Sequence, residues 1–368
     1  MPDTNMLFTV YSSRLGGQYE CHRFREYNID LDLDTDSDAF DIVFKNPNGV
    51  YNSLFSKFDQ VEISVNNVKM MKGRIDTAAY HWDSSDSYIR VNGRDMAAAL
   101  VDNDILPSTL KNVKPNSYIT SICGLYGITN TDIVNMNIVK QLVLNAGEKE
   151  MSVITNMVKD ENLKVWLDYD TMHVGNWATD AVPSYKFTRG VPLDKMGIPI
   201  LSLDVTDDGT NMPSEYIIYG TTSSGTSSLV GKAQNDYMVN NGIKKRVTTS
   251  TSDDRTKSQF KSNAERSIRE GFDNSITIEL TIATKDIPVK PNTTAWVIDN
   301  MTKTNAIFFI KKVTYSKDAS SGSITKISMI PSKGTSDILF GGQGTKQNGG
   351  VTGFYSMNVG DLLASKKG

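Results

Sequence analysis

Arg90-Val91-Asn92-Gly93-Arg94-Asp95 runs directly into Met96-Ala97-Ala98-Ala99-Leu100-Val101-Asp102. The first six residues read as an apolar strand that arrives at a glycine and then a charged pair. The next seven read as a short alanine-rich helix that closes on an aspartate. Such a junction marks where one kind of structure gives way to another, and the chain on its two sides differs in that sense.

On the N-terminal side the pattern is of strands and turns. Gln60-Val61-Glu62-Ile63-Ser64-Val65 alternates polar and apolar, as does Ile29-Asp30-Leu31-Asp32-Leu33, the period of two expected of a strand wet on one face. Asn66-Asn67 reads as a tight turn after Val65. Residues 1–104 are therefore expected to form a small antiparallel β-barrel or sandwich.

On the C-terminal side Tyr118, Ile119, Ile122, Leu125 and Tyr126 fall at helical spacing, with Gly127 as the stop. Met151, Ile154, Met157 and Val158 predict a second helix, ahead of the strand Leu163-Lys164-Val165-Trp166-Leu167. Residues 105–189 are read as an α/β insertion. Strand signals return at Ile198-Pro199-Ile200-Leu201 and Tyr216-Ile217-Ile218-Tyr219-Gly220, then at Ser275–Ile282, Ala295–Ile298, Ala306–Ile310 and Ser323–Ile330. Residues 190–225 and 275–331 are assigned to a second β-barrel. Between them, 226–274 is read as a loop and helix insertion. Its helix is capped by Ser252-Asp253-Asp254, carries Phe260, Ala264 and Ile268 on one face, and stops at Gly271. Residues 332–368 form a Gly-rich tail, expected to order against a partner. The fold class is mainly β with an α/β insertion: two small antiparallel β-barrels in one chain.

Composition excludes several functions. At 368 residues the chain exceeds a single domain of roughly 100–200 residues. Hydrophobic residues make up 39% and charged ones 22%, and the net charge is −3, so no basic field favours nucleic acid or an anionic membrane. The cluster Lys244-Lys245-Arg246 reads as a solvated loop. No stretch approaches the roughly 18 apolar residues that span a bilayer, so membrane insertion is not expected. Met1-Pro2-Asp3-Thr4-Asn5 shows no basic and apolar leader, which points to assembly in the cytoplasm of the producing cell. Two cysteines, Cys21 and Cys123, are too few for a disulfide scaffold, and Cys123 reads as a buried small hydrophobe.

Candidate chemistry fails its spacing tests. Asp30, Asp32, Asp34, Asp36 and Asp38 alternate as in a calcium loop, but such a loop needs glycine sixth and glutamate twelfth. Thr35 and Asp41 stand there, so the aspartates read as a charged solvent edge that discourages stray strand pairing. His22, His81 and His173 show no metal-ligand spacing and no nucleophile elbow. The glycines of 341–350 lack the Gly-Lys-Ser/Thr of a phosphate loop, and Glu148 and Glu150 suit a helix start. No catalytic, cofactor or metal residue is expected, and the chain is read as no enzyme.

The Arg90–Asp102 junction resembles one in the baseplate hub family of contractile phage tails and phage-tail-like particles. That family includes the phage Mu-type, defective Bacillus prophage-type and late control protein D-like hubs. Later segments resemble it in the same order. Asp36, Ala39, Phe40, Ile42 and Phe44 are similar to its first-barrel strand, and Gly147 through Tyr169-Asp170 to its α/β unit, although Thr171-Met172 stands where the family commonly has a glycine turn. Ser214–Gly220 resembles the strand that opens the second barrel. Ala264-Glu265-Arg266 with the Ile276–Ile282 strand, Pro291-Asn292 before Trp296-Val297-Ile298-Asp299, and Phe309-Ile310-Lys311-Lys312-Val313 resemble its return, penultimate hairpin and closing strands. The resemblance spans about residues 6–331.

It implies a structural hub in the virion tail baseplate, a homotrimer joining the sixfold tail tube or tube-initiator protein to the threefold central spike and contacting other baseplate proteins. Three chains with two barrels each would supply six units. The channel would be lined by polar, mostly non-positive residues, with Asp30, Asp32 and Asp34 as candidates, and no specific nucleic-acid binding is implied. The alternative is a carbohydrate-binding or adhesin module, which would gather exposed aromatics on one face. Trp82, Trp166, Trp177 and Trp296 are scattered instead. A cell-wall hydrolase would need a separate catalytic domain, and no segment is left to house one.

Overall fold

A computed structural model describes residues 6–46, 49, 51–84, 86–221, 227–251, 257–283, 287–302, 304–318, 320 and 322–333. The expected helix cap at 252–254 and the Gly-rich tail from 334 onward lie outside the described residues. The chain divides into two compact units. Unit 1 comprises Met1–Ala178, Thr281–Asn292 and Lys311–Ile327, and unit 2 comprises Thr179–Leu280, Thr293–Ile310 and Ser328–Gly368.

Unit 1 begins with β1 (Met6–Tyr11), β2 (Gln18–Cys21), β3 (Phe24–Asp32), β4 (Ala39–Lys45), β5 (Gln60–Val65), β6 (Val68–Trp82) and β7 (Ser87–Asp95). Their order in the sheet is β2-β1-β5-β6-β7-β4-β3. The alternation read in β5 is realised, with Val61, Ile63 and Val65 buried. Asn66 and Asn67 both take positive φ, 50° and 62°, as a two-residue hairpin turn requires. Phe8, Phe44 and Phe55 fill the core, Phe44 lying 5.3 Å from Phe8 edge-on and 4.8 Å from Phe55 stacked. Each such pair contributes about 0.5–1.5 kcal/mol beyond area burial.

The insertion follows as α1 (Ala98–Asp102), β8 (Ser108–Val113), α2 (Pro115–Leu125), β9 (Asn130–Ile133), β10 (Val139–Leu144), α3 (Glu150–Asp160), β11 (Lys164–Asp168) and β12 (Thr171–Gly175). Ile119 and Cys123 of α2 pack with Met151, Ile154 and Val158 of α3 and with Met172 and Val174. Both helices sit where their periodicity placed them. Gly127 takes φ 81° just past the end of α2. The turn between β11 and β12 needs no glycine because Tyr169 itself takes φ 56°. It is held there by Lys69, whose ammonium donates to its hydroxyl at 2.8 Å.

The remaining elements are β13 (Tyr185–Arg189), β14 (Ile198–Pro199), β15 (Ser202–Asp207), β16 (Glu215–Thr221), β17 (Ser227–Gln234), α4 (Asp236–Asn240), β18 (Arg246–Thr251), α5 (Lys257–Asp273), β19 (Ile276–Ala283), β20 (Thr293–Asp299), β21 (Thr304–Asp318) and β22 (Gly322–Pro331). Here three expectations need correction. The Ser214–Gly220 segment does not open the second β block, since β16 is the centre of a separate sheet, β17-β16-β18. Phe260, Ala264 and Ile268 of α5 cover that sheet at Ile218 and Ala233. Within the segment read as a loop and helix insertion, β17 and β18 are strands of this sheet and α5 packs on it.

Gly271 does not stop α5, which runs on to Asp273. A Cβ at that glycine would lie 3.0 Å from the Pro213 ring, so close packing accounts for the glycine. The third correction concerns the barrels. Lys312–Lys317 of β21 pairs antiparallel with Tyr27–Asp32 of β3, so a late strand completes the sheet of the first block within unit 1. Among the described residues no sheet closes on itself. The mainly β class with an α/β insertion stands.

Candidate functional site

The junction that opens the sequence is a joint built on two side chains at the end of β7, Arg94 and Asp95. β6 carries a bulge at Asp76, because Ile75 pairs with Gly93 but Thr77 pairs with Asn92. The extra residue turns its carboxylate toward Arg94, as bulges commonly re-aim a side chain. The Arg94 guanidinium donates to Asp76 at 2.8 Å and, through its other edge, to both oxygens of Asp102 at 3.0 and 2.7 Å. Arg94 thereby ties the last residue of α1 to the bulge, and its hydrogen bonds hold the Asp102 carboxyl below its usual range.

Asp95 points inward. It accepts from the Ser37 hydroxyl at 2.6 Å, the Asp38 N–H at 3.0 Å and the Ala97 N–H at 3.0 Å, which fixes the start of α1 and the β3–β4 turn to one carboxylate. Asp38 in turn accepts from the Asp32 N–H at 2.8 Å. Burial, first, and the mutual charge of this pair push the Asp38 carboxyl well above 3.8. Burial likewise raises Asp95 from 3.8 to about 6. Groups that titrate higher folded than unfolded leave the folded chain holding more protons across that window. Their contribution to stability therefore falls as pH rises from about 4 through about 6. Thermal unfolding at pH 4.5 and pH 7 is expected to show this slope in the wild type and a flatter one in Asp95→Asn; equal slopes would contradict the assignment.

The alternating aspartates divide. Asp30 and Asp32 alternate with buried Ile29 and Leu31 on β3, but β3 lies between β4 and β21 and is not an edge. Lys312 of β21 sits 3.6 Å from Asp30 and 3.3 Å from Asp32, and Lys311 pairs with Asp34. Two lysines thus pair with three aspartates of the expected acidic face, Asp36 stays exposed, and Asp38 leaves the face altogether. Pairing with strands nearly three hundred residues away carries no local signature.

Over 90% of its length, this chain matches the tail protein of Neisseria meningitidis MC58 with a TM-score of 0.74 at 18% identity, covering 98% of that chain. The fold is that of phage tail proteins. The 43 kDa tail protein of prophage MuSo2 from Shewanella oneidensis matches 89% of this chain and 98% of its own, with a TM-score of 0.72 at 16% identity. The E. coli c3393 protein matches 84% of this chain and 73% of its own, at a TM-score of 0.54 and 11% identity. It is described as a component of the type VI secretion system, structurally similar to the T4 bacteriophage tail proteins gp27 and gp5. No protein-family model matches the sequence, and no curated protein sequence matches it.

Within this tail-protein fold the other candidates stay apart. His22 lies 3.8 Å from Glu20, His81 stacks on Tyr88, and His173 stacks on Trp166 with Asp132 at 3.2 Å. Among the described residues no group of three or more His, Cys, Asp or Glu is placed to hold a metal ion, and no helix is long and apolar enough to cross a membrane. Burial pushes the Cys21 and Cys123 thiols up to about 12 and about 11, so neither supplies a thiolate at neutral pH. Of Lys244-Lys245-Arg246, Lys245 reaches the Thr210 carbonyl and Arg246 pairs with Glu215. The four tryptophans have different surroundings. Trp82 is exposed on the β6–β7 hairpin, Trp166 stacks on His173, and Trp177 lies near Lys164 and Lys311. Trp296 donates to Asn305.

Sequence reading missed Asp38 and Asp76 as partners of the joint, and it missed the buried Arg189–Asp299 pair of unit 2. The spacing Arg94 to Asp102 was the one signal present. Asp76 could not be found without knowing that β6 bulges.

Proposed function

We propose that this chain is the structural hub of a phage tail or phage-tail-like particle, a non-catalytic homotrimer that joins the sixfold tail tube to the threefold central spike. The observation that carries the reading is the near end-to-end match to two tail proteins, one of them from a prophage, each covered over 98% of its length. The likeness of the c3393 protein to gp27 and gp5 supports placement where tube and spike meet. Two compact units per chain give the arithmetic: a threefold ring presents six units to a sixfold tube, whereas a dimer presents four. Its partners on this reading are the tube or tube-initiator protein, the spike and other baseplate proteins, in a virion tail assembled in the host cytoplasm. Isologous pairing is the commonest oligomeric arrangement but cannot match that symmetry. Counting chains per particle in an intact baseplate is expected to give three. Any other number sinks the proposal, and cell-wall digestion by the purified chain would sink its non-catalytic part.

A further inference from the structure

Phe58 combines two features that oppose each other in a free chain: its backbone takes φ 70° and its ring is 67% exposed. A bulky side chain in the left-handed region is strained, and strain of this kind persists where the surroundings over-determine it. Here they do. The Phe58 N–H donates to the Ile75 carbonyl at 2.7 Å, and the Ile75 N–H donates to the Asp59 carbonyl at 3.0 Å. The buried Asp59 carboxylate accepts from the Ser56 N–H at 2.8 Å and reaches across to the Ser13 N–H at 3.0 Å. The buried Ser12 hydroxyl donates to the Leu54 carbonyl at 2.7 Å. Two loops, one between β1 and β2 and one before β5, are thus locked together.

Each locked loop exposes a cation followed by an apolar side chain. One presents Arg14-Leu15, with Leu15 49% exposed, and the other Lys57-Phe58. The Lys57 ammonium lies 5.8 Å from the Phe58 ring. Rigid aromatic anchors flanked by charge are what interfaces concentrate, because preorganisation removes the ordering cost of binding. The chemistry calls for an apolar surface rimmed by carboxylates.

The same chain carries an exposed leucine beside three carboxylates. Leu201, 56% exposed, leads into β15, on which Asp204 and Asp207 are exposed, with Asp208 following. The strand neighbour of β15 is β19, so among the described residues its outer edge is open. We propose that Arg14-Leu15 and Lys57-Phe58 of one copy dock on the Leu201–Asp208 edge of the next copy. The two patches are different surfaces, so the contact is head-to-tail and repeats until the ring closes. The inference rests on the homotrimer reading and names its interface.

The test places the photocrosslinker benzoylphenylalanine at position 58 of the full chain, in the purified oligomer or, where the isolated chain stays monomeric, in the assembled particle. Mass spectrometry of the crosslinked product is expected to find the attachment within residues 201–208 of a second copy. Attachment elsewhere, to another protein, or nowhere in a particle with three copies overturns this interface alone. A copy number other than three overturns the hub reading with it.

Two sets of variants separate docking from folding. Phe58→Gly relieves the strained backbone, so its Tm should be no lower than wild type while association weakens at least tenfold. Wild-type association of that variant would overturn the proposal. Arg14→Glu with Lys57→Glu should abolish association, and adding Asp204→Lys with Asp207→Lys should restore it; no restoration by the folded quadruple variant is the contrary result.

Discussion

Arg189→Ala is expected to destabilise unit 2 by about 3–5 kcal/mol, the cost of leaving a buried charge without its partner. Arg189 and Asp299 face each other across the parallel pair β13–β20. The Asp299 side chain is wholly buried, and Arg189 clamps it with two bonds of 3.0 and 2.7 Å. The Met301 N–H at 3.0 Å and the Thr302 hydroxyl at 2.7 Å complete its shell. Burial pushes this carboxyl up, but the Arg189 and Thr302 bonds outweigh it and hold the group well below its ordinary range. Its contribution to stability is therefore present above the unfolded carboxyl value of about 4 and is lost as pH falls below it. In the variant only the Met301 and Thr302 bonds remain against burial, so the deficit should be full at pH 7 and shrink toward acid pH. Urea unfolding of both proteins at pH 7 and pH 4 checks this. A deficit below about 1 kcal/mol at pH 7 would mean the pair is no stronger than a surface ion pair. Arg189→Lys should recover only part of the loss, because an ammonium cannot reproduce the two-pronged geometry.

The second large effect is expected at Gly93. A Cβ there would stand 2.0 Å from the Arg74 carbonyl oxygen and 2.6 Å from the Phe40 ring. Neither neighbour can yield, since Arg74 is backbone in β6 and Phe40 is buried beneath the sheet. Gly93→Ala should cost about 3 kcal/mol, the upper end of what overpacking a core imposes. It should also loosen the joint that Arg94 and Asp95 make with α1. Gly124→Ala is the matched control, because no atom lies within 4 Å of its Cβ and it sits inside α2. There the same change should stabilise by about 0.5–1 kcal/mol. Thermal unfolding of the two variants side by side reads both, and equal midpoints would refute the steric account of Gly93.

Gly93 also shows how much of the joint was legible. The order strand, glycine, charged pair, helix, aspartate identified a junction, and the structure gives each of those residues a contact there. That Arg94 would fork between Asp76 and Asp102 depended on a bulge in another strand, which leaves no mark on the sequence of β7. The aspartates from 30 to 38 show the converse. Asp30 and Asp32 do alternate along β3, yet the lysines that pair with them and with Asp34 arrive on β21, beyond the reach of local pattern.

What the sequence by itself determined is the local structure. The alternation of β5, the Asn66-Asn67 turn, the helices α2 and α3 and the apolar face of α5 all follow from backbone sterics and from a side-chain period set within a few residues. Only the tertiary structure decided which strands meet. Thr314 reaches Asp30 across 284 residues of chain, and that pairing brings a late strand into the sheet of the first block. The left-handed Phe58 belongs with these decisions, since the hydrogen bonds that hold it come from Ile75 and Ser13. A local pattern tells a strand which face is wet. It does not name the neighbour, because pairing energy depends on long-range shape and on hydrogen bonds that every backbone offers alike.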